Sequence, residues 1–253
     1  MPETEADQSI FFEEIDKILT MAKEEGATMR LLGATAIRSR SPSARKMAGQ
    51  RPLTDLDFVA YKKDRSRIEK LLKGLNYEPS VMFNMAHGNE RLLFFGHEGK
   101  LKIDVWLEVF RMAHTFSFKE RLELDYPTLP LSDLLMTKLQ IVELNEKDAR
   151  DVVCLLIDHE LSKDDVDREK INLSRLVNEC SGNWGVYKTF TMNLLKIKDL
   201  ASTYVNDPKA AQSAVKKIDE ISNSIEAAPK TLAWKLRARV GEKKPWYESP
   251  DSR

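Results

Sequence analysis

Arg51-Pro52-Leu53-Thr54-Asp55-Leu56-Asp57-Phe58-Val59 is the stretch whose reading decides the fold. With Ala60 and Tyr61 its tail is apolar on both faces, as the central strand of a sheet is. Residues 53–61 therefore read as a strand. Side chains alternate along a strand with period two, so Asp55 and Asp57 share one face. Two carboxylates held side by side repel each other. The usual relief is a proton, a basic neighbour or a divalent cation.

Upstream, Leu31-Leu32-Gly33-Ala34-Thr35-Ala36-Ile37 reads as a short buried strand over 29–32, broken at Gly33, with a helix from Ala34 to Arg38. A first helix, capped by Asp7 or Ser9, runs to about residue 25, and Phe11, Phe12, Ile15, Ile18, Leu19 and Ala22 fall at helical spacing. Residues 38–51 hold Arg38, Arg40, Arg45, Lys46 and Arg51 with no acid among them, in a Ser/Pro/Gly-rich setting. That composition reads as a loop, either a solvated surface or a phosphate-attracting rim.

Downstream, residues 64–75 form an amphipathic helix. Residues 92–95 and 101–107 form strands of a hairpin turned by Gly96-His97-Glu98-Gly99. The second strand, through Lys102-Ile103-Asp104-Val105-Trp106, carries a carboxylate inside an apolar run. Acids are rarely buried without partners, so Asp104 asks for one. Only helices follow: 132–144 capped by Ser132, 145–158 capped by Asn145, then 164–178, 184–205, 208–225 and 230–240. The order predicts an α+β fold, a small mixed sheet flanked by helices over 1–160, followed by an all-helical C-terminal domain over 161–253.

Composition narrows the function. Of 253 residues 42% are apolar, enough for a core, and 40 basic residues balance 40 acidic ones, which argues against nucleic-acid binding through bulk charge. The two cysteines, Cys154 and Cys180, have no metal-ligand spacing and read as buried thiols. The acidic N-terminus lacks the order of a signal peptide, and no apolar run nears the roughly 18 residues that span a bilayer. The expectation is a cytoplasmic protein with no membrane partner.

Two acids on one strand and one on a neighbour suit phosphoryl or nucleotidyl transfer. Its transition state gathers charge on non-bridging oxygens, and divalent cations held by carboxylates neutralise it. A glycine at a strand-to-helix turn lets backbone N–H groups approach phosphates.

Gly33-Ala34-x-Ala36, Arg51-x-x-Thr54-Asp55-Leu56-Asp57 and Ile103-Asp104-Val105, in this order, resemble the polymerase-beta-like nucleotidyltransferase superfamily. The stretch from Asp133 through Lys138 to Asp151 resembles the element that follows the core in minimal nucleotidyltransferases, including the toxins of type IV toxin–antitoxin systems. The resemblance covers residues 28–158 and implies the nucleotidyltransferase fold. It implies that Asp55 and Asp57 bind two Mg2+ ions, with Mn2+ as a substitute. Asp104 would complete the metal site and help deprotonate the acceptor hydroxyl. Gly33, Ala34, Thr35, Arg51 and Lys138 would contact the nucleotide. The implied partners are a nucleoside triphosphate, an acceptor (RNA, protein or small molecule), and an antitoxin. Ala34 departs from the family's usual glycine or serine, offering an N–H but no hydroxyl.

Other readings stand beside these. The same fold can serve as a non-catalytic binding module, and Asp-x-Asp alone also occurs as the metal site of glycosyltransferases. Arg51 can equally be a salt-bridge partner of Asp55 or Asp57, and Lys138 a solvated helix lysine. Lys147 and Asp151, four apart, read as a surface ion pair. His87, His97, His114 and His159 share no ligand spacing, and Trp184, Trp234 and Trp246 read as helical core. The basic face of Lys230, Lys235, Arg237 and Arg239 reads as solvated.

Overall fold

The computed structural model describes residues 5–46, 53 and 55–249. Mutual contacts divide the chain into two units: 1–40, 45–110 and 116–129 form the first, and 41–44, 111–115 and 130–253 the second. The fold is α+β, as expected.

The first unit is built on a mixed five-stranded sheet. Its strands are β1 (Met29–Leu32), β2 (Asp55–Ala60), β3 (Glu78–Pro79), β4 (Arg91–Gly96) and β5 (Leu101–Leu107), in spatial order β1-β2-β5-β4-β3. Only β2 and β5 run parallel; the other pairs are antiparallel. Period-two alternation sorts the residues cleanly. Leu56, Phe58, Leu92, Phe94, Ile103 and Val105 lie on one face and are fully buried. At about 1.5–3 kcal/mol for each such side chain, that face is the main stabilising surface of the unit. The buried stripes of α1 (Glu5–Glu24; Ile15, Ile18, Leu19, Ala22) and α4 (Arg65–Gly74; Ile68, Leu71, Leu72) complete this core; α1 touches α4 and β1, and α4 touches β3. Asp55, Asp57, Lys102 and Asp104 point to the opposite face.

Among the described residues three further α-helices, besides α4, lie between these strands in the chain. α2 (Gly33–Arg40) follows β1 without a loop and packs on β1 and β2. The stretch read as a basic loop begins as structure: Arg38 and Arg40 close α2, and α3 (Pro42–Lys46) follows. Arg40 donates to Asp125 Oδ2 at 2.6 Å and Thr128 Oγ1 at 3.0 Å, and Arg38 is buried, so neither lines a rim. Residues 47–52, including Arg51, lie outside the described residues, as does Thr54. The third helix, α5 (Val81–His87), has no buried residue and was not expected. It is fixed by Asn84, whose amide donates to Leu93 O at 3.1 Å and accepts from Leu93 N at 2.8 Å. A short hairpin of β6 (Val109–Arg111) and β7 (Thr115–Ser117) follows the sheet.

The second unit carries α6 (Leu131–Leu139), α7 (Glu146–Asp158), α8 (Leu173–Gly182), α9 (Trp184–Tyr204), α10 (Pro208–Ala227) and α11 (Leu232–Val240), with a two-residue ladder of β8 (Leu161–Ser162) and β9 (Ile171–Asn172). α6 and α7, expected with the sheet, cluster here because they pack on α8, α9 and α10. The contact boundary thus falls after Leu129 rather than at residue 160.

Ser132 does not cap α6. The helix starts directly after Pro130, and Ser132 is buried inside it. It ends at Leu139 rather than 144, where Asn193 Nδ2 donates to Leu139 O at 2.8 Å and Ile141 O at 2.7 Å. The helix expected over 164–178 begins only at Leu173, capped by Asn172. Ahead of it Asp164 and Asp167 accept from the backbone N–H groups of Val166 and Glu169. Such local turns compete with helix.

The cap expected at Asn145 is present and reciprocal. Its Oδ1 accepts from Asp148 N at 3.0 Å, and its Nδ2 donates to Asp148 Oδ2 at 2.7 Å. Asn145→Ala is expected to lower the unfolding free energy by about 1 kcal/mol in urea melts, with an unchanged slope.

Both cysteines are buried and free; burial pushes the Cys154 thiol up to about 12 and the Cys180 thiol higher still. His114 is buried too, its Nε2 2.8 Å from Thr189 Oγ1, and burial pulls it down to about 4 against the opposing charge of Glu248. No helix among the described residues is long and apolar enough to cross a membrane.

Candidate functional site

β2 and β5 lie parallel in a register that pairs Asp55 with Lys102 and Asp57 with Asp104. Directly paired residues point to the same face. The three acids picked out by sequence therefore do share one face of the sheet, with Asp57 and Asp104 side by side on neighbouring strands. Asp55 and Asp57 are half-buried; Asp104 is only 1% exposed.

β1 brings in the glycine. Leu32 pairs with Asp57, so the next residue, Gly33, starts α2 against the Asp57 side chain. Its φ is +75°, a left-handed conformation that glycine adopts without strain. A Cβ placed there would lie 2.3 Å from Asp57 Oδ2. The first turn of α2 thus sets its positive end beside that carboxylate. Gly33 and Ala34 are half-buried, within reach of solvent. Thr35 is buried, and its hydroxyl faces Asp55 O at 3.5 Å, so it holds α2 to β2 rather than pointing outward.

Asp104 has the partner its burial demands, and sequence reasoning missed it. Arg91, first residue of β4, grips it in a fork: Nε donates to Oδ1 at 2.7 Å and Nη2 to Oδ2. Lys102 Nζ stands 3.4 Å from the same Oδ2. The guanidinium carbon lies 4.2 Å from the ring centre of Trp106 and 5.6 Å from that of Phe83 on α5. Burial works against the Arg91 charge. The bond to Asp104 and the charges of Asp104 and Asp57 outweigh it and raise the group above its ordinary value.

This donor set bears directly on the cations expected here. Asp55 and Asp57 present oxygen ligands from one strand face, the chemistry Mg2+ or Mn2+ prefers. Asp104 fits less well, because a bidentate guanidinium already occupies both its oxygens. Among the described residues no three carboxylates, histidines or cysteines are gathered as a metal-binding group.

Lys138 belongs to the second unit. It is neither solvated nor open to a ligand: its Nζ sits 2.7 Å from Asp148 Oδ1 and 2.9 Å from Asp151 Oδ2, and all three residues are buried. Asp151 therefore pairs with Lys138 across α6 and α7, and not with Lys147 as a surface pair. Lys138→Met removes that cation from two buried carboxylates. It should cost roughly 3 kcal/mol in a melt without any substrate. An unchanged melt with lost activity would return Lys138 to the substrate.

No protein-family model matches this chain, and no curated protein matches it. Among solved structures the chain is similar to the solution structure of the antibiotic-resistance factor ANT(2'')-Ia. The identity is 13%, over 55% of this chain and 78% of that one, with a TM-score of 0.36. At so slight a likeness, the residues described above have to carry the function.

Proposed function

We propose that the chain is a nucleotidyltransferase, moving a nucleoside monophosphate from a nucleoside triphosphate to an acceptor hydroxyl. The observation that carries this is the juxtaposition of Asp57 and Asp104 across parallel β2 and β5, with Gly33 pressed against Asp57 at the start of α2.

In this reading the acceptor oxygen attacks the α-phosphorus, the bond to the β-phosphate oxygen breaks, and pyrophosphate leaves. The hydroxyl proton passes to Asp104, whose oxygens each keep a lone pair beyond those taken by Arg91, and then to water. Asp55 and Asp57 would hold a divalent cation. Such a cation, when bound, neutralises charge on the α-phosphate oxygens and aligns them for attack. The N–H groups of Gly33 and Ala34, at the positive end of α2, would orient the triphosphate tail. Ala34 serves through its backbone, so the missing hydroxyl removes one bond and leaves the anion-facing helix end in place.

The test is transfer of label from each of the four α-labelled ribonucleoside triphosphates, with Mg2+, to RNA, protein and small-molecule fractions of a cell extract. Label in one fraction, with pyrophosphate released, is the expected result. No transfer to any fraction would sink the proposal and favour a non-catalytic binding module.

A further inference from the structure

This inference rests on the nucleotidyl-transfer reading and deepens it. We propose that the centre takes one divalent cation, at Asp55 and Asp57, and that the Arg91 guanidinium permanently fills the place of a second at Asp104.

The geometry of Arg91 is that of a built-in counter-ion. Its two bonds to Asp104 form the parallel fork that matches a guanidinium to a carboxylate, the strongest of side-chain pairings. The rings of Trp106 and Phe83 both lie near it, and Phe83 comes from α5, an element that buries none of its own residues. Asn84 of the same helix clamps Leu93, the register partner of Asp104 on β4. Helix α5 therefore contacts the arginine and fixes the strand beside the acid.

A dication on the remaining lone pairs of Asp104 would stand against this guanidinium and the Lys102 ammonium. To admit it, Arg91 would have to break two charge-assisted bonds and leave two aromatic rings. Asp57 is the register partner of Asp104. The guanidinium therefore lies one strand from the proposed cation and supplies the second positive charge where transfer needs it. Unlike a metal ion, it cannot dissociate.

Mn2+ alone is the probe, and free ion is counted by its electron paramagnetic resonance signal as the protein is titrated. Wild type should bind one Mn2+ per chain and Asp57→Asn none. Arg91→Gln should bind two, because Asp104 is then released as a ligand; Arg91→Met, which keeps the stem against Trp106, should do the same. Circular dichroism verifies that each variant is folded. Two ions on wild type, or one on folded Arg91→Gln and Arg91→Met, overturns the proposal while the transfer reading stands. No ion on wild type also overturns the proposal, and label transfer then decides the transfer reading by itself. The wild-type count decides even where neither variant folds.

Discussion

Asp57→Asn should reduce label transfer by about a thousandfold, about 4 kcal/mol of lost transition-state stabilisation. The substitution keeps the shape of the side chain and removes its charge. Asp57 is the best case because it meets every other part of the site: it shares a face with Asp55, pairs in register with Asp104 and touches Gly33. Stability should change little, because the shape is kept and an amide oxygen remains to accept bonds. A loss of activity together with a loss of fold would mean that Asp57 is a structural group. Transfer equal to wild type would end the enzyme reading.

Gly33→Ala should damage both fold and activity. The left-handed backbone alone costs roughly 1–2 kcal/mol for a residue with a Cβ. The new methyl must also displace the Asp57 carboxylate, which would stand 2.3 Å away. We expect a loss of about 2–3 kcal/mol in a urea melt and at least about a hundredfold in transfer. Gly26→Ala separates the two contributions. Gly26 has nearly the same conformation, φ +68°, and nothing within 4 Å of the built Cβ. It should show the backbone cost and leave transfer unchanged. If the two variants lose transfer equally, contact with Asp57 is not what matters at Gly33.

The acids and the glycine were legible because period two and a strand-breaking glycine are local signals. Asp55, Asp57 and Gly33 needed only the reading of 53–61 and 29–33. Asp104 stood out as a lone acid in an apolar run. Arg91 did not stand out, although the signal was there. Once the Gly96–Gly99 turn is accepted, the hairpin folds Arg91 onto Trp106 and Leu93 onto Asp104, leaving Arg91 one diagonal step from the acid. Lys138 was read as a nucleotide contact or a solvated lysine, because its burial depends on how α6 meets α7, which no periodicity within α6 reports. The first part of the helix expected over 164–178 was lost to aspartates that bond their own backbone, a competition that hydrophobic spacing does not record. α5 was invisible for the opposite reason: a short helix with no buried stripe has no period to find.

The same Asn84 that steadies Leu93 also decides what the sheet can join. An open strand edge is a template for another chain. Here both edges are blunted. On β1, Leu31 N donates to Pro127 O and Leu31 O accepts from Leu129 N, so the segment 127–129 lies along the edge. On the far side β3 is only two residues long and includes Pro79, which has no N–H to offer. Beyond it the outward-facing groups of Leu93 are taken by Asn84 and by Ser80 N. A side-chain amide thus stands in for the next residue of β3 along β4 and ends that ladder there. Both edges are thus poor templates for strand addition. A sheet that carries three acids on one face is thereby guarded against pairing edge to edge with another chain.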